Sequence, residues 1–321
     1  MTETMLQILL IFWLFCAVLI VMEQKTYRVV IYFGIFSLLT AAAYLFLGAP
    51  DVAMAEAGIA AFTTIFFIIC IEKHYVGSRS EKNKKRDLKA RNKAVLSFLF
   101  TLFLFGLFVY FAPEGRTAST FLKDQYLALF MTDVGGENAV TAIYLGYRVY
   151  DTLFEALILV IAVVAVTHMS WYNGVTVSDG RHSEIENAKM AVFAMRFISP
   201  ILLLFGVYLI TNGHISAGGG FQGGLAIATF FICRYMTYNI YDISVQKVIK
   251  LEELIFISII LVAAFAVFLG VGVFAMLPQT VYLLAMNSLI GLKVACGFFI
   301  LFYRYIAIEQ DAGPAMLEIE N

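Results

Sequence analysis

The sequence predicts an all-α, polytopic membrane protein with about nine transmembrane helices, its N-terminus outside and its C-terminus cytoplasmic. Three observations lead there. Of 321 residues, 61% are hydrophobic and 14% charged, with a mean hydropathy of +0.86, far more apolar than a soluble domain of this size. The apolar residues fall in blocks of about 20, the length that crosses a bilayer. Basic residues collect in alternate loops: nine of the 22 Lys and Arg lie between Lys73 and Lys93, which marks that loop as cytoplasmic.

Each block is a helix because lipid offers the backbone no other hydrogen-bond partner. The first, 5–22, has no basic start and runs too far for a cleaved leader, so it reads as a span. Blocks 29–47 and 51–71 follow, the latter opened by Pro50. Block 94–112 comes after the basic loop. Residues 113–148 then lie outside: TFLKDQYLALFMT reads as an interfacial amphipathic helix, and GGENAVTAIYLGYR as a second one or an early turn of the next span, 149–169. A polar stretch, 171–187, leads into AKMAVFAMRF, read as a short surface helix. Blocks 197–212, 219–237, 253–275 and 281–303 complete the nine. Lys25, Arg28, Arg181, Lys189, Arg196, Arg234, Lys247, Lys250 and Arg304 then all fall on the cytoplasmic side, with Arg116 and Lys123 the main exceptions. The chain parses as a three-helix segment (1–72), a basic linker (73–93), a two-helix segment (94–170), a second linker (171–195) and a four-helix segment (196–321).

Several functions are disfavoured. Cys16, Cys70, Cys233 and Cys296 all sit in apolar blocks without CxxC spacing, so they read as packed thiols, and no metal or other cofactor is expected. Residues 212–224, NGHISAGGGFQGG, lack the ending and the preceding strand of a phosphate loop. No Ser/His/Asp or HExxH set supports an intramembrane enzyme, and no nucleic-acid partner is indicated.

The informative residues are ionisable groups where lipid belongs. Asp51 follows Pro50 at the head of the third span, where an acid suits the helix dipole; a first-turn charge and a functional acid are both open readings. Glu56 lies about 7.5 Å deeper along the axis, among Ala and Gly residues that admit a neighbouring helix, and is a candidate proton carrier or a neutral structural acid. At the fifth span, Arg148, Asp151 and Glu155 share one helical face. Arg148 can pair with Asp151 at the helix end, leaving Glu155 a turn deeper and less compensated. Two close carboxylates resist ionising together, so that pair is a proton-holding candidate. The glycine cluster after the sixth span frees the backbone for close approaches; His214 within it is a candidate relay at neutral pH or an ordinary turn residue. Lys293 sits near the middle of the last block. An ammonium there costs roughly 3 kcal/mol on insertion scales and is too deep to snorkel. It therefore faces protein or water and pairs with an intramembrane acid from another helix or another chain. A pure scaffold, with buried charges only locking helices together, is the competing reading.

Three segments, PDVAMAEAGIAA, GGENAVTAIYLGYRVYDTLFEALILV and GVYLITNGHISAGGGFQGGLAIA, resemble consecutive segments of Mrp-type multisubunit sodium/proton antiporters and of the antiporter-like module of membrane-bound hydrogenases. The first two resemble the C-terminal helices of the large, A-type antiporter chain, or the D-type and E-type hydrogenase chains. The last four spans resemble the B-type antiporter chain, or the F-type hydrogenase chain. The resemblance covers nearly the whole sequence and matches the three, two and four helices of the parse. It implies one component of a hetero-oligomeric complex in the cytoplasmic membrane, partnered by other antiporter-like subunits and working on Na+ and H+. By position it implies an ion or proton path through Glu56, Asp151, Glu155, His214 and Lys293, with Asp51, Glu137 and Arg148 also matched. The alternative is the membrane arm of a hydrogenase or related respiratory complex, whose redox centres lie on other chains. Ala217 stands where the family often has Pro. Gly146 stands where it often has an acid, and Ala55 where it often has Thr.

Overall fold

The computed structural model describes residues 2–75, 96, 98–107, 110, 120–169, 189–237, 244–268 and 279–307. Most of the basic linker and of the second linker, the ends of the 94–112 block and the end of the 253–275 block lie outside them. The described residues form helices α1 (Thr2–Met22), α2 (Thr26–Phe46) and α3 (Pro50–Tyr75), then a short apolar α4 (Phe98–Leu107). Next come α5 (Phe121–Asp133), α6 (Ala139–Ala142), a π-helical turn (Ile143–Tyr147), α7 (Val149–Met169), α8 (Lys189–Asn212), α9 (Gly220–Thr237), α10 (Val245–Phe268) and α11 (Gln279–Ala307). Among the described residues six helices, α1, α2, α3, α7, α8 and α11, are long and apolar enough to cross a membrane by length and composition.

The helices form one bundle around α11, which packs against α3, α7, α8, α9 and α10. About 61% of its apolar window is buried, against 6% for α1, which packs on α2. The α1–α2 contact is fixed by Trp13, whose Nε1 donates to Thr40 Oγ1 at 2.8 Å while its ring stacks on Phe36. Many outward residues are large and apolar, such as Phe12, Phe33, Phe154, Ile158 and Phe197, as expected of a surface meant for lipid or a partner helix.

Glycines let α8, α9 and α11 approach closely. A Cβ on Gly224 would lie against Gly291 O and 2.8 Å from Val294 Cβ, and one on Gly206 would lie 2.8 Å from Gly223 O. Small residues at a seam are the usual means of tight packing between membrane helices.

Two boundaries differ from the expectation, and of the two readings of GGENAVTAIYLGYR the early turn leading into the next span is the one found. AKMAVFAMRF is not a separate surface helix: α8 runs unbroken from Lys189 to Asn212 with Pro200 inside it. Proline removes one backbone donor, and helices in apolar surroundings tolerate it where the freed groups are re-satisfied locally. Helix α10 begins at Val245 rather than 253, which carries Glu252 two turns into the helix. GGENAVTAIYLGYR becomes a capped turn of α6 and the π turn, which leads through Arg148 into α7. Gly146 there faces Val134, whose methyls would be 2.6–2.7 Å from an added Cβ; an acid at this position has no room.

Candidate functional site

The polar residues converge on the seam between the early helices and the α8–α11 group. At one end, Asn138 caps α6 by accepting from Val140 N at 2.9 Å. Its Nδ2 donates to Asp51 Oδ1 at 3.0 Å, to Ser216 O at 3.0 Å and to Gly213 O at 3.1 Å. Asp51 Oδ1 also accepts from Gly218 N at 3.0 Å, and Gln222 Nε2 donates to Asp51 O at 3.2 Å. Asp51 is 7% exposed. The first-turn acid of α3 therefore clasps the glycine loop and the α6 cap. Gly218, at φ +150°, supplies the backbone N–H in a conformation glycine alone adopts easily.

The loops of Glu137 and His214 meet through backbone: Glu137 N and Asn138 N donate to His214 O at 2.8 and 3.1 Å. His214 Nδ1 and Asn287 Nδ2 are buried without a hydrogen-bond partner among the described residues. Asn287 Oδ1 accepts from Tyr144 OH at 2.9 Å and from Gly220 N at 3.1 Å, tying the π turn, the head of α9 and α11 together. The carbonyls loosened by the π turn are taken up by side chains: Thr152 Oγ1 donates to Tyr144 O at 2.7 Å, and Tyr282 OH to Leu145 O at 2.9 Å.

Below this clasp lies a cavity of about 640 Å³ between α3, α7, α9 and α11. Its wall is mostly apolar, but Asp51, Thr152, Glu155, Gln222 and Lys293 reach it. Val52, Val140 and Ile158 line it and are themselves exposed, so it is a groove open along the flank of the bundle. The structure thus brings three of the sequence-predicted residues, Asp51, Glu155 and Lys293, to one groove.

Lys293 is fully buried, and its Nζ makes an ion pair with Glu252 of α10, which is 2% exposed. The ammonium also lies 5.3 Å from the centre of the Phe256 ring. Glu252 was missed by sequence reasoning because the apolar block seemed to start after it; the acid stands in KLEELIF, and only a helix running back to Val245 turns it inward. One signal was available: a midplane Lys needs an acid, and Glu252 and Glu253 are the acids nearest the head of that block.

The remaining predicted residues lie elsewhere. Arg148 and Asp151 form an ion pair at 2.5 Å with side chains 63% and 51% exposed, the helix-end pairing expected of them. Glu56 does not reach the groove. It accepts a hydrogen bond from Ser37 of α2, inside the α2–α3 hairpin. Among the described residues no group of three or more His, Cys, Asp or Glu is arranged to hold a metal ion, and all four cysteines are free.

Comparisons with known proteins agree with this architecture. Residues 190–308 match the family model described as a domain related to the MnhB subunit of Na+/H+ antiporter, and residues 11–75 match the MbhD model, which describes the D-type chain of MBH. An uncharacterised protein of Methanocaldococcus jannaschii is 26% identical over 266 residues, 71% of this chain and 96% of that protein. A Staphylococcus saprophyticus protein named as the putative antiporter subunit mnhA2 is 34% identical over 122 residues, 37% of this chain and 14% of that one. Among solved structures, a chain of the Mrp complex from Dietzia sp. DQ12-45-1b has the same fold, with a TM-score of 0.70 at 19% identity over 96% of this chain and 35% of that chain. A chain of the membrane-bound sulfane sulfur reductase, an archaeal respiratory membrane complex, gives a TM-score of 0.53 at 25% identity over 66% of this chain and 96% of that chain. This chain therefore spans only a minor part of the large antiporter chains it matches, and nearly all of the smaller ones. The chain thus carries a stretch similar to the MbhD model near its start and one similar to the MnhB model near its end.

Proposed function

We propose that this chain serves a multisubunit cation/proton antiporter module in the cytoplasmic membrane, beside other antiporter-like subunits, and lends it an intramembrane path for Na+ or H+. The observation that carries the proposal is the groove that joins Asp51, Glu155 and Lys293 at one seam. Burying an ammonium in a membrane protein is costly, and such groups mark ion and proton pathways. In this reading Glu155 binds the ion or proton and Lys293 supplies a positive counterpart. Asp151 and Arg148 hold the outer end of α7. His214, with an unpartnered Nδ1, relays protons beside Glu137 at the outer mouth, while Glu56 serves a separate position within α2–α3.

The same reading takes nine spans, adding the 94–112 block, α9 and α10 to the six long apolar helices, with the N-terminus outside and the C-terminus cytoplasmic. The segments then divide as 1–72, 94–170 and 196–321, joined by cytoplasmic linkers at 73–93 and 171–195.

The test is sodium-dependent proton movement by the intact complex in vesicles. Lys293→Ala and Lys293→Arg both abolish it, since Arg hardly gives up its proton. Wild-type transport in the Arg variant would mean that only a fixed charge is needed. A second reading, a membrane-arm component of a redox-driven complex, draws on the likeness to the sulfane sulfur reductase chain. Iron or nickel co-purifying in stoichiometric amount with the complex would favour it.

A further inference from the structure

Lys293 is paired with one acid and shares a groove with another. Glu252 on α10 holds its ammonium in an ion pair, while Glu155 on α7 shares the groove that Lys293 lines. Helices α7 and α10 both pack on α11, and on each other. Among the described residues acids outnumber bases here: Glu252, Glu155 and Asp51 stand against the single base Lys293. The environments of the acids differ as well. Glu252 is sealed at 2% exposure, whereas Glu155 is open to the groove and the flank. Other ionisable groups near this region are Asp51 at the head of the groove, already engaged by Asn138 and Gly218, Tyr144, which lines the groove and donates to Asn287, Asp151 one turn before Glu155 on α7 and paired with Arg148, and Cys296 one turn along α11 from Lys293.

We propose that Glu252 is the parking counter-charge of Lys293: it holds the ammonium on the α10 side and so leaves Glu155 free to take a single cation or proton from the groove. A lysine head on a flexible four-carbon stem can change partner. Movement of the ammonium from Glu252 toward Glu155 then expels the bound ion. Glu252 is a positioning residue here, acting through Lys293. The inference rests on the ion-path reading above and goes beyond it by naming the acid that sets the resting position of the lysine.

The experiment uses the intact complex in sealed vesicles, with sodium as the probe and proton movement as the readout. Glu252→Gln leaves the ammonium without its partner, so it competes with sodium at Glu155. The expected result is a rise of about ten-fold in the sodium concentration for half-maximal rate, a change in apparent binding rather than in the number of active complexes. Glu252→Asp restores most of the wild-type value. A purely structural role would instead lower the maximal rate and leave the half-saturating sodium unchanged, and that result overturns the inference. Should Glu252→Gln fail to assemble, Glu252→Gln with Lys293→Met removes both charges and leaves no unpaired ion. This double variant is expected to assemble and to lose coupled proton movement; coupled transport in it overturns the inference. Failure of the underlying reading has a different signature: wild-type complex without sodium-dependent proton movement, or Glu155→Gln and Lys293→Ala complexes that transport normally.

Discussion

Asn138→Ala tests whether the seam is held by the clasp described above. The substitution removes the acceptor for Val140 N, a cap worth about 1 kcal/mol. It also removes the Nδ2 donor to the carboxylate of Asp51, and a hydrogen bond to a charged group contributes about 1.5–3 kcal/mol. Asp51 keeps Gly218 N, so the acid is weakened rather than orphaned. The sum is about 3 kcal/mol, which for a chain of this length lowers the melting temperature by about 4–5 °C. The assay is thermal unfolding of the purified protein in mild detergent. Asn138→Asp separates the two contributions: it keeps the cap acceptor but sets a second carboxylate against Asp51 and should be worse than alanine at neutral pH, recovering on acidification as one acid takes up a proton. If Asn138→Ala melts with the wild type, or Asn138→Asp is the milder variant, Asp51 is not clamped through Asn138 and the seam is held by apolar packing alone.

Gly224→Ala places a methyl against Gly291 O and Val294; forcing α9 from α11 costs about 1–3 kcal/mol, read as a lower melting temperature and a lower yield of folded protein. Tyr282→Phe leaves Leu145 O without its donor and costs about 1 kcal/mol, with faster amide exchange expected through residues 143–149. Glu23, in the α1–α2 turn, is held below the usual glutamate range by the Lys25 N–H first, against a smaller desolvation effect, with Gln24 N–H and Arg28 adding to it. That contribution is present above the ordinary glutamate value and fades as pH falls through the depressed folded value. Wild type and Glu23→Gln should therefore differ slightly in melting at neutral pH and converge in acid.

Much of the architecture was readable because lipid imposes a simple rule on the backbone. Long apolar blocks become helices, and α1, α2, α3, α7 and α11 stand within a few residues of their predicted spans. The misplaced boundaries share a cause. At Val245 and Lys189, charged residues sit on helices that start before the apolar face does, and hydropathy registers the face rather than the hydrogen-bond ladder. That error hid Glu252. Lys293 itself was legible since no soluble or snorkelling explanation fits a midplane ammonium. Asp51 was left between cap and function; its carboxylate reaches across 167 residues to Gly218, a contact no local pattern carries. Asn138 read only as part of a motif, although a polar residue just before AVTA has the form of an N-cap.

The seam also gives a physical reason for joining these segments in one chain. No single segment supplies all the walls of the groove: α3 lies in the stretch matched to the MbhD model, α9 and α11 lie in the stretch matched to the MnhB model, and α6, the π turn and α7 stand between the two. Its polar closure crosses these borders repeatedly, from Asp51 to Gly218, from Asn138 to Gly213 and from Tyr144 to Asn287. Separate chains would have to find this register by association and meet its entropy cost each time. A covalent link turns the same contacts into intramolecular ones with a high effective concentration. The glycine loop gains most from this. Three of its backbone groups, Gly213 O, Ser216 O and Gly218 N, are satisfied by Asn138, Thr141 and Asp51, residues from the other segments. In a dissociated four-helix segment those groups would face lipid or water, and each buried one left unpaired would cost about 1–3 kcal/mol.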